Sequence, residues 1–494
     1  MTKMKIKFAV AYLCMVGMFF TACEKESLLS PSVFTEEVVF SSGEKVILSG
    51  RILSNEDVFL EDHGFQISES AEFTTNLIVS LGERLVPGRF ISEYMDLEIQ
   101  TDYFIRSYIL LNGETIAGNT LMFSTLKPKV IDFSPKEGVQ NNKITIEGVN
   151  FTKDAFILWN GEKINVNSVD EESFIEFTVP GISDFPYADI QLVNQSDTIQ
   201  IEDRFEYIIG EWTDGGILDD PFNNIEHIYF EDEDNFYYGL GLSTEVSGSS
   251  QKLFQLNKET LDRTEMFFTG DVPIGAYYTK DGFFGSGSVQ LVRNSDVSLN
   301  LLNGFYRYQD GAIIQLANSP VLLYRAAAIS TGDAVYLYGG ENEDRVPNSK
   351  IYKYTTANGE WVEIGMSPKT PFKSFPYFSL GDEHYFVFED RSMMSYNIIS
   401  NSWSSKADFP NEVERDGIAL ELNGRGYVGL QDISRRVFEY LPNDDRWRKL
   451  KTVSDISPSI TLGSWVKDDK ITVMRSNFGN GESRFFWTFD PKVF

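Results

Sequence analysis

The fold of this 494-residue chain is decided by one stretch, AVYLYGGENEDRVPNSKIYKYTTANGEW, residues 334–361. An apolar run at 336–338 leads into a glycine pair, and a second run at 351–354 is followed by Trp361, seven residues after Tyr354. Short runs of aromatic and β-branched residues between turn-forming residues are typical of β-strands. The stretch therefore predicts a small antiparallel unit that includes the tryptophan.

The spacing of tyrosine and tryptophan recurs in the chain that follows. Tyr396 precedes Trp403, and Tyr440 precedes Trp447, by the same seven residues. Extending this register over the region after Gly210 gives six equivalent positions: Leu256, Tyr308, Tyr354, Tyr396, Tyr440 and Phe489. Self-similarity at intervals of 42 to 52 residues indicates a repeat architecture with six members.

The stretch with Gly339-Gly340 closely resembles a kelch repeat. The resemblance implies a six-bladed kelch-like β-propeller over residues 209–494, in which glycines allow close backbone packing and Tyr and Trp fill the space between blades. The repeats are degenerate, since 389–390 and 429–430 replace the glycine pair with Glu-Asp and Gly-Leu. In the sixth repeat no tryptophan follows Phe489. We therefore predict that Trp212 supplies the outer strand of that blade and closes the ring.

Two smaller modules precede the repeats. Residues 31–127 alternate apolar and polar positions, and the segment from Leu97 to Tyr103 resembles the tyrosine corner of fibronectin type III modules, with Ile99 in place of the usual proline. Residues 128–208 resemble an IPT/TIG domain through an ordered set of motifs: Phe133-Ser134-Pro135, Gly138, 144–151, 177–180 and 205–207. The sequence thus predicts an all-β protein, with two immunoglobulin-like sandwiches before the propeller. Trp159 is either a sugar-stacking platform or a half-buried strand aromatic.

The N-terminus has the pattern of an export signal. Lys3, Lys5 and Lys7 precede an apolar run at 8–20 that is too short to span a bilayer, which predicts a signal peptide over residues 1–22. The end of this segment resembles a bacterial lipobox, which implies lipidation at Cys23 and a polar tether over residues 23–30. The alternatives are an unlipidated signal and an N-terminal anchor helix. The arrangement is similar to outer-membrane lipoproteins that face the cell exterior.

Composition excludes several functions. The net charge of −30 excludes a nucleic-acid ligand, because contacts to phosphates need a basic face. The three histidines, His63, His227 and His384, are too scattered for a His-rich metal site, and the absence of cysteine from the repeats excludes the cysteine–tyrosine chemistry of kelch-like copper oxidases. The acidic run at 231–234 falls at a hairpin turn of the repeat register, where a calcium site is the alternative. We expect no cofactor, metal or catalytic residue.

The candidate ligand-binding residues come from segments just before strands in three repeats. Kelch propellers often place a basic residue there, at one mouth of a central channel. The corresponding residues here are Tyr324, Arg325, Phe372, Lys373, Phe375 and Arg415. Aromatic rings would stack on a sugar, and the cations would donate hydrogen bonds to hydroxyl or carboxylate groups. Packing and salt bridging at the rim are the alternative roles of the same residues.

These features favour a surface glycan-binding protein, which the order of modules resembles. In this reading the propeller captures an extracellular glycan for a neighbouring transporter and hydrolases, and the lipid holds the protein at the outer membrane. The alternatives are a protein-binding scaffold or adhesin and, because some kelch propellers are enzymes, a sugar mutarotase or lyase. The overall negative charge favours a neutral glycan over a polyanion, unless Arg325, Lys373 and Arg415 form a local basic mouth.

Overall fold

The structure is a computed structural model that describes residues 30–170, 172–182, 185–219, 224–243, 248–270, 274–293, 296–415, 417–431, 434–453, 459–477 and 483–493. Within these ranges the regular elements are β-strands and no helix occurs, so the all-β prediction is confirmed. None of these residues belongs to a helix that could cross a bilayer. The chain divides into two compact units between Glu206 and Tyr207.

The first part of the first unit contains seven strands that form two sheets. The strands are β1 (Ser32–Ser41), β2 (Val46–Leu53), β3 (Asp62–Ser68), β4 (Leu77–Ser80), β5 (Gly88–Tyr94), β6 (Asp102–Leu111) and β7 (Glu114–Ser124). Their orders are β1-β2-β5 and β4-β3-β6-β7. Alternate apolar side chains of the two sheets, including Val46, Leu48, Phe65 and Ile105, meet in one buried core, as period-two patterning requires.

The second part of the first unit contains eleven strands in three sheets. The strands are β8 (Lys129–Ser134), β9 (Glu137–Gly138), β10 (Lys143–Val149), β11 (Phe156–Trp159), β12 (Glu162–Asn165), β13 (Ser168–Asp170), β14 (Phe174–Thr178), β15 (Tyr187–Ala188), β16 (Ile190–Asn194), β17 (Asp197–Gln200) and β18 (Phe205–Tyr207). Their orders are β13-β14-β10-β8, β12-β11-β16-β17 and β15-β18-β9.

Two aromatic residues singled out in the sequence have structural roles in this unit. The hydroxyl oxygen of Tyr103 accepts a hydrogen bond from the Glu98 N–H at 3.1 Å, which ties the start of β6 to the backbone five residues upstream. Trp159 is only 5% exposed and packs against Phe177 and Phe205, with ring centroids 5.9 and 5.2 Å apart. Trp159 is therefore a core side chain, and its alternative role as an exposed sugar platform is wrong.

Hydrogen bonds join the two parts of the first unit. The side chain of Gln195 accepts from the Ile99 N–H at 2.8 Å and donates to the Leu97 carbonyl at 3.0 Å. The buried carboxylate of Glu44 accepts from the Lys153 N–H at 3.0 Å, and burial raises the pKa of Glu44. The two parts are thus joined by side-chain contacts as well as by the chain that links them.

The second unit contains the remaining strands. They are β19 (Glu211–Asp219), β20 (Asn224–Ile225), β21 (Ile228–Glu231), β22 (Asn235–Gly239), β23 (Leu242–Ser243), β24 (Gly248–Ser249), β25 (Lys252–Asn257), β26 (Arg263–Phe267), β27 (Tyr277–Tyr278), β28 (Phe283–Gly285), β29 (Ser288–Arg293), β30 (Asp296–Leu301), β31 (Phe305–Gln309), β32 (Ala312–Gln315), β33 (Ala327–Thr331), β34 (Ala334–Tyr338), β35 (Lys350–Thr355), β36 (Glu360–Met366), β37 (Tyr377–Leu380), β38 (Glu383–Val387), β39 (Met393–Asn397), β40 (Ser402–Lys406), β41 (Ile418–Leu422), β42 (Arg425–Gly429), β43 (Val437–Leu441), β44 (Arg446–Lys449), β45 (Ser459–Lys467), β46 (Lys470–Asn477) and β47 (Ser483–Asp490).

Within the described ranges, most of these strands form six four-stranded antiparallel sheets. We number them sheets one to six: β21-β22-β25-β26, β27-β28-β31-β32, β33-β34-β35-β36, β37-β38-β39-β40, β41-β42-β43-β44 and β45-β46-β47-β19. The six positions identified from the tyrosine–tryptophan register all lie on the third strand of a sheet. The longest interval, from Leu256 to Tyr308, contains the extra hairpin β29–β30.

Sheet six is completed by a strand from the start of the unit. In β19 and β47, Trp212 pairs with Phe489 in the register that Trp361 and Tyr354 have in sheet three. The indole N–H of Trp212 donates to the carbonyl of Lys451 at 2.7 Å, just beyond the last strand of sheet five. The prediction that Trp212 supplies the outer strand is confirmed.

The same indole bond recurs at each tryptophan of the repeat. Trp361, Trp403 and Trp447 donate to the carbonyls of Ala317, Met366 and Ala407, at 3.2, 3.0 and 3.1 Å. Each of these carbonyls lies at or just beyond the end of the outer strand of the preceding sheet. The tryptophans therefore tie each sheet to its predecessor.

Apolar clusters pack neighbouring sheets together in sequence. Such clusters join sheets one and two, two and three, three and four, and four and five. Sheets five and six are linked by the Thr461 hydroxyl, which donates to the Leu430 carbonyl at 2.8 Å. Sheet six returns to sheet one, where Trp465 and Phe236 have ring centroids 4.8 Å apart. The six sheets thus close on themselves.

The glycine pair of sheet three has the role expected from the sequence. Gly339 has φ of +64°, and a Cβ atom there would lie 1.9 Å from the carbonyl oxygen of Pro371. The neighbouring Gly340 N–H donates to that same carbonyl at 3.0 Å. Only glycine satisfies both the left-handed backbone and the close approach of the chain that leads into sheet four.

Candidate ligand-binding cavity

A cavity of about 910 Å³ lies within the second unit. The first strand of every sheet contributes to its wall, with Tyr229, Tyr278, Ile329, Tyr377, Leu420 and Leu462 as examples. Since these strands belong to six sheets that close on themselves, the cavity occupies the centre of the unit. Its volume lies in the range of small-molecule and cofactor sites.

Five of the six residues predicted for ligand binding line this cavity: Arg325, Phe372, Lys373, Phe375 and Arg415. They come from the segments that precede β33, β37 and β41. The structure therefore brings together three segments that are far apart along the chain, since Arg325 is 48 residues from Lys373 and Lys373 is 42 from Arg415. We call the end of the cavity formed by these residues the basic mouth.

A carboxylate that the sequence analysis missed organises two of the cations. Glu226 accepts a hydrogen bond from Arg325 Nε at 2.7 Å and lies 3.3 Å from Lys373 Nζ. Burial alone would raise the pKa of Glu226, but the charges of Lys373 and Arg325 outweigh burial and lower it. Glu226 is therefore ionised at neutral pH and holds both cations in fixed positions.

Arg415 differs from the other two cations of the basic mouth. Its side chain is exposed, and within the described ranges no carboxylate forms an ion pair with it. By contrast, the side chains of Lys373 and Arg325 are 7% and 24% exposed and share Glu226. Arg415 is thus the cation of this mouth best placed to donate hydrogen bonds to an incoming ligand.

Aromatic rings lie beside these cations. Phe372 and Phe375 are both half-buried and stand edge to face, with ring centroids 6.3 Å apart. Deeper in the cavity, the rings of Tyr229 and Tyr278 are 4.8 Å apart, and Tyr377 contributes a third phenol from β37. Burial raises the pKa of Tyr377, although a hydrogen bond with the backbone of Ala328 opposes this effect, so the hydroxyl is protonated and already has one partner in the protein.

The opposite end of the cavity is formed by the ends of the first strands. Thr279, Lys280, Ser330, Ser379 and Glu421 lie there. The surrounding protein lowers the pKa of Lys280, against the effects of Glu231 and Glu421. This end is lined by hydroxyl and charged groups rather than by aromatic rings, so the two ends of the cavity differ in chemistry.

Tyr324 is the predicted binding residue that the structure does not place in the cavity. Its N–H and carbonyl pair with Glu341 at 2.8 and 2.9 Å, and this bridge directs the ring into a cluster with Ile274 and Leu301. The ring is 5% exposed, and the guanidinium groups of Arg325 and Arg345 lie 4.9 and 4.8 Å from its centroid. Tyr324 is a packing residue beneath Arg325, so its assignment as a stacking platform is corrected.

The charge of the cavity wall is nearly balanced. Four lining residues are cationic, Lys280, Arg325, Lys373 and Arg415, and five are acidic, Glu226, Glu341, Glu389, Glu414 and Glu421. The basic mouth is therefore a local feature of a cavity that has no excess of positive charge. This balance favours a neutral polar ligand over a polyanion.

A second cavity of about 580 Å³ adjoins the first and shares Glu414 and Gln431 with it. Its lining is almost entirely polar and includes Asn411, Arg435 and Arg436. Arg436 donates to the Asn411 side-chain oxygen at 2.8 Å. The polar surface thus continues from the basic mouth over sheet five.

The acidic run at 231–234 forms the turn between β21 and β22, as predicted. One carboxylate oxygen of Asp232 accepts the N–H groups of Asp234 and Asn235 at 3.0 and 2.7 Å, and the other accepts the Tyr237 hydroxyl at 2.6 Å. Glu231 pairs with Lys258 at 2.6 Å. Among the residues described, no group of three or more metal-ligating side chains is placed to hold a metal ion.

The three histidines lie in separate environments. His63 is buried in the first unit and contacts the Gly82 carbonyl at 2.8 Å. His384 is fully buried between sheets three and four, where burial lowers its pKa to about 3. His227 lines the cavity, and its Nε2 donates to the Leu462 carbonyl at 2.7 Å. The structure does not bring them together.

Glu226 could have been found from the sequence. It lies two residues before β21, and Arg325 lies two residues before β33, so the two residues occupy the same place in different sheets. The pre-strand pattern of kelch repeats points to basic residues, whereas the equivalent position of the first repeat holds an acid. The tyrosines on β21, β27 and β37 carried no such signal, because strand tyrosines are usually packing residues.

Comparisons with known proteins add little to this geometry. No family model matches the chain, and no curated protein matches it. Among solved structures, one titled "Structure of YjhT" is 12% identical, with a TM-score of 0.42, over 55% of this chain and 96% of that one. The arrangement of sheets described above does not depend on this similarity.

Proposed function

We propose that the second unit is a six-bladed kelch-like β-propeller and that the first unit consists of a fibronectin type III-like module followed by an IPT/TIG domain. The propeller assignment is supported by six four-stranded sheets, each with its first strand on a central cavity. The fibronectin type III-like assignment is supported by two sheets around one core and by the hydrogen bond at Tyr103. The IPT/TIG assignment is supported by the two four-stranded antiparallel sheets of the second part.

We propose that this protein is a non-catalytic surface lipoprotein that captures an extracellular glycan in the cavity of its second unit. The observation that carries this proposal is the pairing of half-buried Phe372 and Phe375 with Arg415 at one mouth of a 910 Å³ cavity. Sugars present apolar ring faces and polar edges, so a site for them needs aromatic surface beside fixed hydrogen-bond donors.

The roles of the residues follow from their surroundings. The faces of Phe372 and Phe375 stack on sugar rings that enter the mouth, and Arg415 donates to hydroxyl groups of the same sugar. Lys373 and Arg325 are held by Glu226, so they present their remaining N–H groups without a large loss of side-chain entropy on binding. The balanced charge of the wall favours a neutral glycan.

The alternative of a protein ligand predicts another kind of surface. Protein-binding sites are typically broad apolar patches with a polar rim, whereas this cavity is concave and mixes charged, hydroxyl and aromatic groups. A protein partner therefore becomes the preferred reading only if no glycan binds.

Affinity gel electrophoresis of the full chain tests the proposal. The gels contain starch, xylan, galactomannan, laminarin, levan or polygalacturonate, and we expect retardation by at least one neutral polysaccharide. Phe375→Ala and Arg415→Ala should each weaken binding about tenfold, which corresponds to about 1.4 kcal/mol. Ile399→Ala is the matched control, because Ile399 is 72% exposed on a turn of the same unit and does not line the cavity.

Three outcomes would contradict parts of the proposal. Retardation that is unchanged in both variants would refute the site. The absence of retardation in every gel would favour the protein-binding scaffold or adhesin. Release of reducing sugar during incubation with the retarding polysaccharide would show an enzyme, so the assay is run on each sample.

We propose that the chain is anchored at the outer membrane through a lipid on Cys23, facing the exterior beside transporter and hydrolase partners. Cys23 and the signal segment lie outside the described residues. Incorporation of labelled palmitate into the wild-type protein, and its loss in Cys23→Ser, tests the anchor. Digestion of intact cells with protease tests the exterior location, because an inward-facing protein would be protected.

A further inference from the structure

One end of the first unit carries a group of exposed apolar side chains. Leu53, Phe59, Leu85 and Val86 are 50%, 52%, 59% and 60% exposed. They lie at the end of β2, in the segment between β2 and β3, and in the segment between β4 and β5. We call these four residues the apolar tip.

Backbone pairing brings these segments side by side. The Val58 N–H donates to the Leu85 carbonyl at 3.1 Å, and the Leu60 N–H donates to the Arg84 carbonyl at 2.8 Å. Ile52, next to Leu53, pairs with Gly88, which follows shortly after Val86. The backbone segments that carry the four apolar side chains are therefore neighbours at one end of the unit.

The apolar tip is also the end at which the chain enters the unit. Ser32, the first residue of β1, pairs with Leu53. Glu44 and Leu97, which contact the second part of the unit, lie at the other ends of the strands that pack around this core. The tip therefore points away from the rest of the unit and toward the N-terminal segment.

The distance from the tip to Cys23 is limited by covalent geometry. Seven residue-to-residue steps lead from Cys23 to Ser30, the first residue described. A fully extended chain spans at most about 3.6 Å per residue, which gives an upper limit of about 25 Å. A lipid on Cys23 therefore keeps Ser30, and with it this end of the unit, within about 25 Å of the acylated residue.

We propose that the apolar tip inserts into the interface of the lipid bilayer and acts as a second membrane contact beside the lipid anchor. This inference rests on the proposed lipidation of Cys23. Phe59, Leu85 and Val86 would enter the boundary between headgroups and acyl chains, where apolar side chains gain by leaving water. Burial of these side chains would add to the binding that the acyl chains on Cys23 provide.

The charges around the apolar tip show whether attraction to lipid headgroups or burial of apolar side chains would drive the membrane contact. Glu56, Asp57, Glu61 and Glu83 are all exposed around the apolar residues, and the nearby basic side chains Arg84 and Arg89 are engaged with the Val86 carbonyl and with Glu37. Attraction to anionic headgroups therefore does not drive the contact. The insertion should occur on neutral lipid and should be insensitive to salt.

The chain is well suited to a site-specific test, because Cys14 and Cys23 are its only cysteines. Cleavage removes the first and acylation blocks the second, so the mature protein has no free thiol. A cysteine introduced by Phe59→Cys or Val86→Cys can then be labelled with an environment-sensitive fluorophore. Met122→Cys is the control, since Met122 is 61% exposed near the end of β7 that lies away from the tip.

The acylated full chain is reconstituted into phosphatidylcholine vesicles, and quenching by acrylamide, which is uncharged, is compared with quenching by a nitroxide on the lipid. We expect the acrylamide quenching constant at positions 59 and 86 to be at least threefold lower than at position 122. We also expect lipid-borne nitroxide to quench only the first two labels. Neither result should change between 50 mM and 500 mM salt.

Other results would overturn the inference. Equal acrylamide quenching at all three positions on vesicle-bound protein would show that the tip stays in water. Protection that persists without vesicles, in a chain with Cys14→Ser and Cys23→Ser, would show that a second copy covers the tip. If the wild-type protein does not float with vesicles and carries no acyl group, the proposed anchor itself has failed, which flotation and mass spectrometry distinguish from the first result.

Discussion

Trp212 and Phe489 lie opposite each other across β19 and β47, with ring centroids 4.8 Å apart, and so join the two ends of the second unit within one sheet. Tyr354 and Trp361, Tyr396 and Trp403, and Tyr440 and Trp447 have the same relationship, at 5.2, 5.1 and 5.1 Å. The contact that stabilises each of these three sheets locally therefore also closes the ring of six.

Trp212→Ala should destabilise the second unit by about 2–4 kcal/mol, because it removes ring packing and the bond to the Lys451 carbonyl. Trp403→Ala should lower the free energy of unfolding by a similar amount, since Trp403 makes the equivalent contacts in sheet four. Trp212→Phe keeps most of the packing and should cost about 1 kcal/mol. Urea unfolding measures all three, and a Trp212→Ala protein as stable as wild type would show that the closing contact contributes nothing.

Gly339→Ala should strongly reduce folding yield and stability. The added Cβ would meet the Pro371 carbonyl oxygen at 1.9 Å, and neither backbone can move without disturbing sheet three or its neighbour. Gly381→Ala is the matched control, because Gly381 also has positive φ but has nothing within 4 Å of its Cβ. The control should be destabilised by only about 1–2 kcal/mol, which is the cost of placing a residue with a Cβ atom in a left-handed backbone conformation. Equal thermal stability of the two variants would refute a packing role for Gly339.

Glu226→Gln should destabilise the protein at neutral pH by roughly 1–3 kcal/mol, because Arg325 and Lys373 lose their shared carboxylate in a partly enclosed site. The pKa of Glu226 is lower in the folded than in the unfolded chain, so its contribution is present above the usual carboxyl range and is lost as the pH falls through the folded value. The difference between wild type and variant in urea unfolding should therefore shrink from pH 7 to pH 3. A difference that does not depend on pH would contradict this electrostatic role.

His384 should make the protein less stable in mild acid. Burial lowers its pKa from 6.5 to about 3, so the unfolded chain binds a proton that the folded chain does not. This contribution to stability is fully present above pH 6.5 and declines toward pH 3, by up to about 1.4 kcal/mol per pH unit. In His384→Gln, which can still accept the Tyr338 hydroxyl, that part of the decline should be absent. If the free energies of unfolding of the two proteins fell in parallel between pH 7 and pH 4, His384 would not be the source of the acid sensitivity.

Sequence patterns predicted those parts of the structure that depend on repeated local chemistry. The strand tyrosines and the tryptophans each fill the same space between sheets, so their spacing identified six sheets and the role of Trp212. The hairpin β29–β30 was not predicted, because an insertion leaves no mark on the repeat except a longer interval.

The site was predicted less completely, because side chains from different sheets meet there. Glu226 and Lys373 are far apart in sequence, and only the closed arrangement brings them within 3.3 Å. Tyr324 and Arg325 are adjacent, yet a backbone bridge to Glu341 turns the tyrosine away from the cavity that the arginine lines. Sequence proximity to a functional residue did not indicate on which side of the chain a side chain would lie.

The pairing of β19 with β47 also affects how the protein is made. A chain that is synthesised from its N-terminus presents β19 before the other strands of the second unit, and this strand cannot pair until residues 483–490 have been made. Until then its edge is open to other chains, and sheet six cannot form. Loss of even the last dozen residues should therefore expose two unpaired edges at once, and truncated products should be removed by proteolysis or aggregate instead of accumulating as partly active protein.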